Sequence, residues 1–229
     1  MKYIILIYIS FFLISCSSRE DIIKSPDGIK TEVTGKVFDF QRNIPVSNYL
    51  VSVKTEYRDY CGYASCIKTE QVASVRSDQN GLYRISFDYI NDPAKQDLNY
   101  FIKVENSDGY IAEKISNSVI DPAKTNVQDI NAWKPITAKF NLKVSNNANP
   151  PLYVATLLTP ESGTFNNDIV AADGNVSVEL LAKPSSVMYV KFYYFVGGNY
   201  SVIHSVTKQI TTSNEEVQNF NFDIDCSTF

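Results

Sequence analysis

Histidine is nearly missing from these 229 residues: His204 stands alone, on a strand-like stretch beside Ile203 and Val206. No Ser-centred nucleophile elbow, zinc-binding helix or Gly-rich phosphate loop accompanies it, so the commonest catalytic layouts are excluded. Basic stripes are missing too. Lys and Arg number 21 against 25 Asp and Glu, for a net charge of −4, and both signs are dispersed, which argues against a nucleic-acid partner. No convincing helical periodicity occurs, and with it goes any amphipathic helix that would lie on a membrane. The carboxylates are plentiful but unpatterned, so choosing two of them for glycoside hydrolysis is arbitrary. These absences predict a protein that is not an enzyme and carries no cofactor or metal.

What is present begins at the N-terminus. Lys2 precedes an apolar stretch, Tyr3 to Ile9, followed by Phe11, Phe12, Leu13 and Ile14, too short to cross a bilayer comfortably. This reads as a signal peptide over residues 1–15 and is set aside from the fold. Leu13-Ile14-Ser15-Cys16 resembles the lipobox of bacterial lipoproteins. That resemblance implies diacylglycerol on the Cys16 thiol, cleavage before Cys16, and an outer-membrane lipoprotein facing the cell surface or the periplasm. Each buried methylene contributes about 0.8 kcal/mol, so several acyl chains anchor firmly where one does not. Ser17-Ser18-Arg19-Glu20-Asp21 resembles the surface-export signal of Bacteroidetes lipoproteins; a solvated tether over 16–30 is the alternative.

From Thr31 onward, short runs of Val, Ile, Tyr, Phe and Thr alternate with Asn, Asp, Gly and Pro, the pattern of strands joined by turns. Strands are expected over 32–40, 49–57, 69–76, 82–89, 100–105, 110–116 and 126–131, with a hairpin turn at Ser77-Asp78-Gln79-Asn80-Gly81. The same order then recurs. Residues 141–158 echo 36–55, Ala172-Asp173-Gly174-Asn175 stands where the first turn stood, 189–210 echo 100–120, and 217–221 echo 127–131. The expected architecture is all-β: two tandem Ig-like or transthyretin-like antiparallel sandwiches, residues 31–134 and a divergent 135–229, meeting near Trp133. One larger sandwich is the alternative.

Gly35-Lys36-Val37-Phe38-Asp39, Ile44-Pro45-Val46, Val51-Ser52-Val53 and Ser77-Asp78-Gln79-Asn80-Gly81-Leu82-Tyr83 together resemble the carboxypeptidase regulatory-like domain, a transthyretin-like (prealbumin-like) sandwich. The resemblance covers most of 31–134 and implies a fold and an extracellular module, with no catalytic residue to carry over. In the related pilin-like adhesin sandwiches a first-strand Lys is joined to a last-strand Asn. Lys36 with Asn131, or Lys139 with Asn221, stand at such positions, but no buried carboxylate that would move the proton is apparent, and exposed lysines are the simpler expectation.

Beyond Cys16, three cysteines remain. In an oxidising envelope compartment Cys61 and Cys66 are expected to form a disulfide closing a short loop, a metal pair being disfavoured for want of further ligands. Cys226 is then either free and buried or paired with another chain. The loop itself, Tyr57-Arg58-Asp59-Tyr60-Cys61-Gly62-Tyr63-Ala64-Ser65-Cys66, is rich in the residue types that dominate binding hot spots. Tyr57, Arg58, Tyr60 and Tyr63 are therefore the candidate ligand contacts; the alternative is that they pack over the end of the sandwich. Phe192-Tyr193-Tyr194-Phe195 is read as a strand with Phe192 and Tyr194 on one face and Tyr193 and Phe195 on the other. The function expected is a non-catalytic, lipid-anchored binding or adhesion module for a glycan, peptide or envelope protein, with a structural accessory lipoprotein as the alternative.

Overall fold

The computed structural model describes residues 28–113 and 119–229. The signal peptide, Cys16 and nearly all of the tether lie outside the described residues. In chain order the strands are β1 (Ile29–Asp39), β2 (Ile44–Pro45), β3 (Leu50–Cys61), β4 (Ala64–Arg76), β5 (Leu82–Tyr89), β6 (Gln96–Lys103), β7 (Ile111–Ala112), β8 (Thr125–Val127) and β9 (Ile130–Trp133). There follow β10 (Ile136–Ser145), β11 (Leu152–Leu157), β12 (Thr164–Val170), β13 (Gly174–Ala182), β14 (Val187–Phe195), β15 (Ile203–Thr211) and β16 (Val217–Asp225). The protein is an all-β sandwich structure, and the strands follow from alternation. In β5, Tyr83, Ile85 and Phe87 are buried while Leu82, Arg84, Ser86 and Asp88 face solvent, the period of a strand with one wet face.

Buried apolar side chains gather into two clusters. One draws on Val33, Val37, Val51, Val53, Tyr83, Ile85, Ile102 and Ile130, the other on Phe140, Leu142, Leu152, Val154, Val190, Phe192 and Ile224. Around the first, β5 flanks β1 antiparallel, β8 and β9 run parallel to β1, and a second sheet has the order β4-β3-β6. Around the second, the sheets are β13-β10-β16 and β12-β11-β14-β15. The pairing diagram thus repeats: the first strand pairs with the strand that follows the hairpin (β1 with β5, β10 with β13) and with the last, and a hairpin lies in the opposite sheet. One feature differs from the antiparallel expectation, since the first and last strands of each cluster run parallel.

The Asn-Gly segment also departs from expectation. Ser77 to Gly81 does not close a hairpin, because β4 pairs with β3 while β5 pairs with β1 in the other sheet. The local turn chemistry is as read: Asp78 Oδ1 accepts from the backbone N–H of Asn80 and Leu82, each at 2.8 Å. Burial decides the pairing, since β5 has a core face and β4 contributes no fully buried side chain. Gly81 sits at φ +75°, and a Cβ there would meet the Val37 carbonyl oxygen at 2.4 Å, so the switch between sheets needs glycine.

Strand ends shift as well. β3 and β4 extend four or five residues further toward each other than expected, and the last expected strand is split into β8 and β9. Only Ile111–Ala112 of the expected 110–116 strand is assigned, residues 114–118 lying outside the description. At the passage from β9 to β10, Trp133 is 1% exposed, with the Phe165 ring at 5.7 Å and the Lys183 ammonium 5.7 Å above it. Lys183 also pairs with Glu113, and Arg42 donates to the Lys134 carbonyl at 2.8 Å, so polar side chains from both halves of the chain surround this passage.

Candidate functional site

Ten residues read as a loop are mostly strand. β3 and β4 stay in register out to Cys61↔Ala64, leaving only Gly62 and Tyr63 as the turn, with Gly62 at φ +73° in the first central position. That is the two-residue hairpin arrangement whose twist matches the flanking strands. The tyrosines favour it, being strong strand formers. Cys61 and Cys66 are disulfide-bonded with Cα atoms 5.8 Å apart. The bond is diagonal, since Cys66 stands opposite Asp59, and it fastens the last turn of the ladder.

Within this hairpin the four candidate contacts part company. Tyr63 at the apex is fully exposed and Tyr60 is 76% exposed. Tyr57 differs from expectation: it is 8% exposed, and its hydroxyl donates to Glu70 Oε1 at 2.6 Å while the Lys95 ammonium lies 4.5 Å over its ring. Its place in the strand, facing the body of the sheet, removes it from the accessible set. Arg58 is on the outer parity and pairs with Asp97 at 3.1 Å. Asp59 pairs with Lys68 across the strands.

Electrostatics at the base of the tip form one connected set. Lys95 donates to Glu70 Oε2 at 2.6 Å, and its bond, followed by the one from Tyr57, holds the Glu70 carboxyl below the usual carboxylate range. The hydrogen bond to Glu70 and partial burial push the Tyr57 phenol up. Lys68 draws the Asp59 carboxyl down, and Asp59 in turn raises Lys68. All of these groups stay charged, or in the case of Tyr57 neutral, across neutral pH. The tip therefore projects two bare phenols from a saturated charge network. The sequence reading missed Glu70, Lys95 and Asp97, because only the β3–β6 register brings Gln96 opposite Arg58 and so places this segment against the hairpin.

Cys226 has no disulfide partner among the described residues and is 1% exposed, burial raising its thiol. His204, on the edge strand β15, places Nδ1 3.3 Å from the Tyr194 hydroxyl. The Lys–Asn pairs are not brought together. Lys36 lies 4.1 Å over the Phe38 ring while Asn131 stands opposite Phe38 and accepts from the Phe40 N–H. Lys139 faces Asn219 rather than Asn221 and pairs with Glu179 at 3.3 Å on the wet face. Among the described residues no cluster of three His, Cys, Asp or Glu side chains is placed to hold an ion. Phe192 and Tyr194 are buried, and Tyr193 and Phe195 lie on the opposite, half-exposed face.

No family model and no curated protein matches the chain. Among solved structures it is similar to the Bacillus anthracis TIE protein, with 11% identity and TM-score 0.31, covering 86% of this chain and 34% of that one. A streptococcal ancillary pilin gives 14% identity and TM-score 0.38 over 84% of this chain and 62% of that one. The minor pilin GBS52 of Streptococcus agalactiae gives 8% identity and TM-score 0.35 over 85% and 95%. The chain thus spans about a third of the first of these and less than two thirds of the second. The sandwich architecture stands on the strand pairing itself.

Proposed function

We propose that this chain is a non-catalytic binding or adhesion module, tethered to the outer membrane through lipid on Cys16 and presenting the β3–β4 tip to a glycan, peptide or protein. The observation that carries this is the pairing of bare Tyr60 and Tyr63 with a disulfide beneath them. Large rings held on a pre-ordered hairpin gain contact area while losing little entropy on binding. Arg58 flanks them as a hydrogen-bond donor once its exposed pair with Asp97 yields, at small cost for an exposed ion pair.

The test is binding of the full chain to glycan and peptide arrays beside a Tyr60→Ala/Tyr63→Ala variant. A hit lost in the variant supports a recognition tip, and a hit that survives it places recognition elsewhere. Lipid attachment is read separately, by metabolic labelling with an alkyne fatty acid that should vanish in Cys16→Ser.

A second reading has its own support. Among the described residues β4 is an edge strand of 13 residues that pairs only with β3, with Ile67 and Val72 exposed on it. Such an edge accepts a partner strand, which suits an accessory subunit of an envelope complex. Co-purification of a stoichiometric envelope protein that is lost in Val72→Pro, yet kept in the double-tyrosine variant, would favour it.

A further inference from the structure

The outward face of the sheet β12-β11-β14-β15 carries a second group of aromatic rings that belongs to neither core cluster. Tyr153 and Tyr193 stand directly opposite each other on neighbouring strands and stack with centroids 5.0 Å apart and planes 17° apart. Phe195 meets Tyr153 edge-on at 5.2 Å, and Tyr200, 76% exposed, meets Phe195 at 4.8 Å. None of the four packs against the buried cluster beneath. Tyr193 and Phe195 alternate with Phe192 and Tyr194, which already fill the inner face. The rings therefore form an unpaired aromatic surface, a feature that marks recognition sites.

Around the rings the register sets polar and charged groups. Ser205 stands opposite Tyr193, Thr207 opposite Lys191, and Asn167 opposite Ala155. Among the described residues paired on this face there is no carboxylate, and the one cation is Lys191, its ammonium 5.5 Å from the Tyr193 ring. In a chain of net charge −4 this face is locally positive. At one end it runs into a cleft of about 80 Å³ between Asn149, Pro151, Tyr153 and Tyr200.

We propose that this face is a second ligand site, for an anionic polysaccharide. A pyranose ring offers an apolar C–H face and a rim of hydroxyls. The stacked Tyr153 and Tyr193 take the former, and Ser205, Thr207 and Asn167 the latter. A ring carboxylate, as in a uronic acid, complements Lys191; a neutral glycan leaves that charge unused, and a cationic one is repelled by it.

The experiment is retention of the full chain by polygalacturonate in affinity electrophoresis, with hydroxyethylcellulose as the neutral comparison. Polygalacturonate should retain the parent, and Tyr153→Ala/Tyr193→Ala should weaken retention about thirtyfold, a hot-spot-sized loss. Tyr153→Phe/Tyr193→Phe should keep it. Lys191→Gln should erase the preference for the acidic polymer. Tyr200→Ala, on an exposed turn, gives a second loss free of any folding effect, and Tyr60→Ala/Tyr63→Ala should change nothing, which separates this site from the hairpin tip. Absence of retention by the parent, equal retention by the neutral polymer, or retention untouched by the tyrosine-to-alanine changes overturns the proposal. So does a concentration-dependent dimer that dissociates in Tyr153→Ala/Tyr193→Ala, since a second copy would then be the occupant.

Discussion

The two closing ladders use the same pairing and differ in continuity. β10 and β16 pair without a break from Thr137↔Val217 to Ser145↔Asp225. β1 holds a constant register with β8 and β9, yet the ladder lapses between Thr34↔Val127 and Val37↔Ile130. In the gap the Lys36 N–H is satisfied by the Asp129 side chain at 2.8 Å instead of a backbone carbonyl. Gly35 lets the Gln128 backbone press in so closely that a Cβ would lie 2.0 Å from its oxygen. Around the regular ladder the sandwich is compact and its outer sheet becomes a platform. Around the broken one the elements are short, β2 and β7 having two residues each, and a hairpin reaches far beyond the core. Regularity is spent on the second frame, and irregularity on the region that projects.

The sharpest way to break this contrast is Phe140→Ala. Phe140 is fully buried on β10, with Phe220 at 5.5 Å and Phe222 at 6.2 Å. Its truncation should cost about 3–5 kcal/mol in urea unfolding, and hydrogen exchange should rise over 136–226 before it rises over 33–132. Next is alkaline pH. The Tyr49 phenol, 1% exposed and bonded to the Glu105 carbonyl, is pushed up to about 12 by burial and then by the Glu105 carboxylate; Tyr83 is raised likewise, by burial and then by Asp129.

A folded pKa above the unfolded value of about 10 gives stability that is complete below that pH and lost as pH rises toward 12, about 2–3 kcal/mol for Tyr49. The first cluster, which holds both tyrosines, should therefore lose exchange protection ahead of the second between those pH values. Equal loss in both would erase the distinction.

Gly35→Ala is smaller and more local. Overpacking of this kind costs about 1–3 kcal/mol, and the expected signature is faster exchange in 125–133 with the β10–β16 ladder untouched. Smallest is the paired change Cys61→Ser/Cys66→Ser. Closing so short a loop contributes about 2 kcal/mol at most, and the strands are already in register there. Melting should barely move while exchange at residues 58–66 quickens; a large global loss would mean that the tip supports the core.

Much of this was legible in the residues. The apolar alternation gave β5 its limits, and the recurrence of elements anticipated the repeated pairing diagram. Cysteine spacing anticipated the Cys61–Cys66 bond. Less was legible where neighbours from distant segments decide. The Asn-Gly turn looked like a hairpin because turn preference is local, whereas the partner of each strand depends on which face finds a core. Tyr57, Tyr60 and Tyr63 looked alike in a loop, and only the extension of β3 through them, with Lys95 and Glu70 packed against it, separates the first from the others.

By its sequence alone this protein was committed to strands, to two rounds of one strand order, to a disulfide between two near cysteines and to aromatic residues alternating along β14. These follow from local steric preference and from the two-residue period, which any isolated segment already carries. The parallel closure of each sandwich, the sheet switch at Gly81, and the accessibility of one tyrosine over another were decided by the tertiary structure. They depend on register and on burial competition among strands far apart in the chain, energies that do not exist until the sheets face each other.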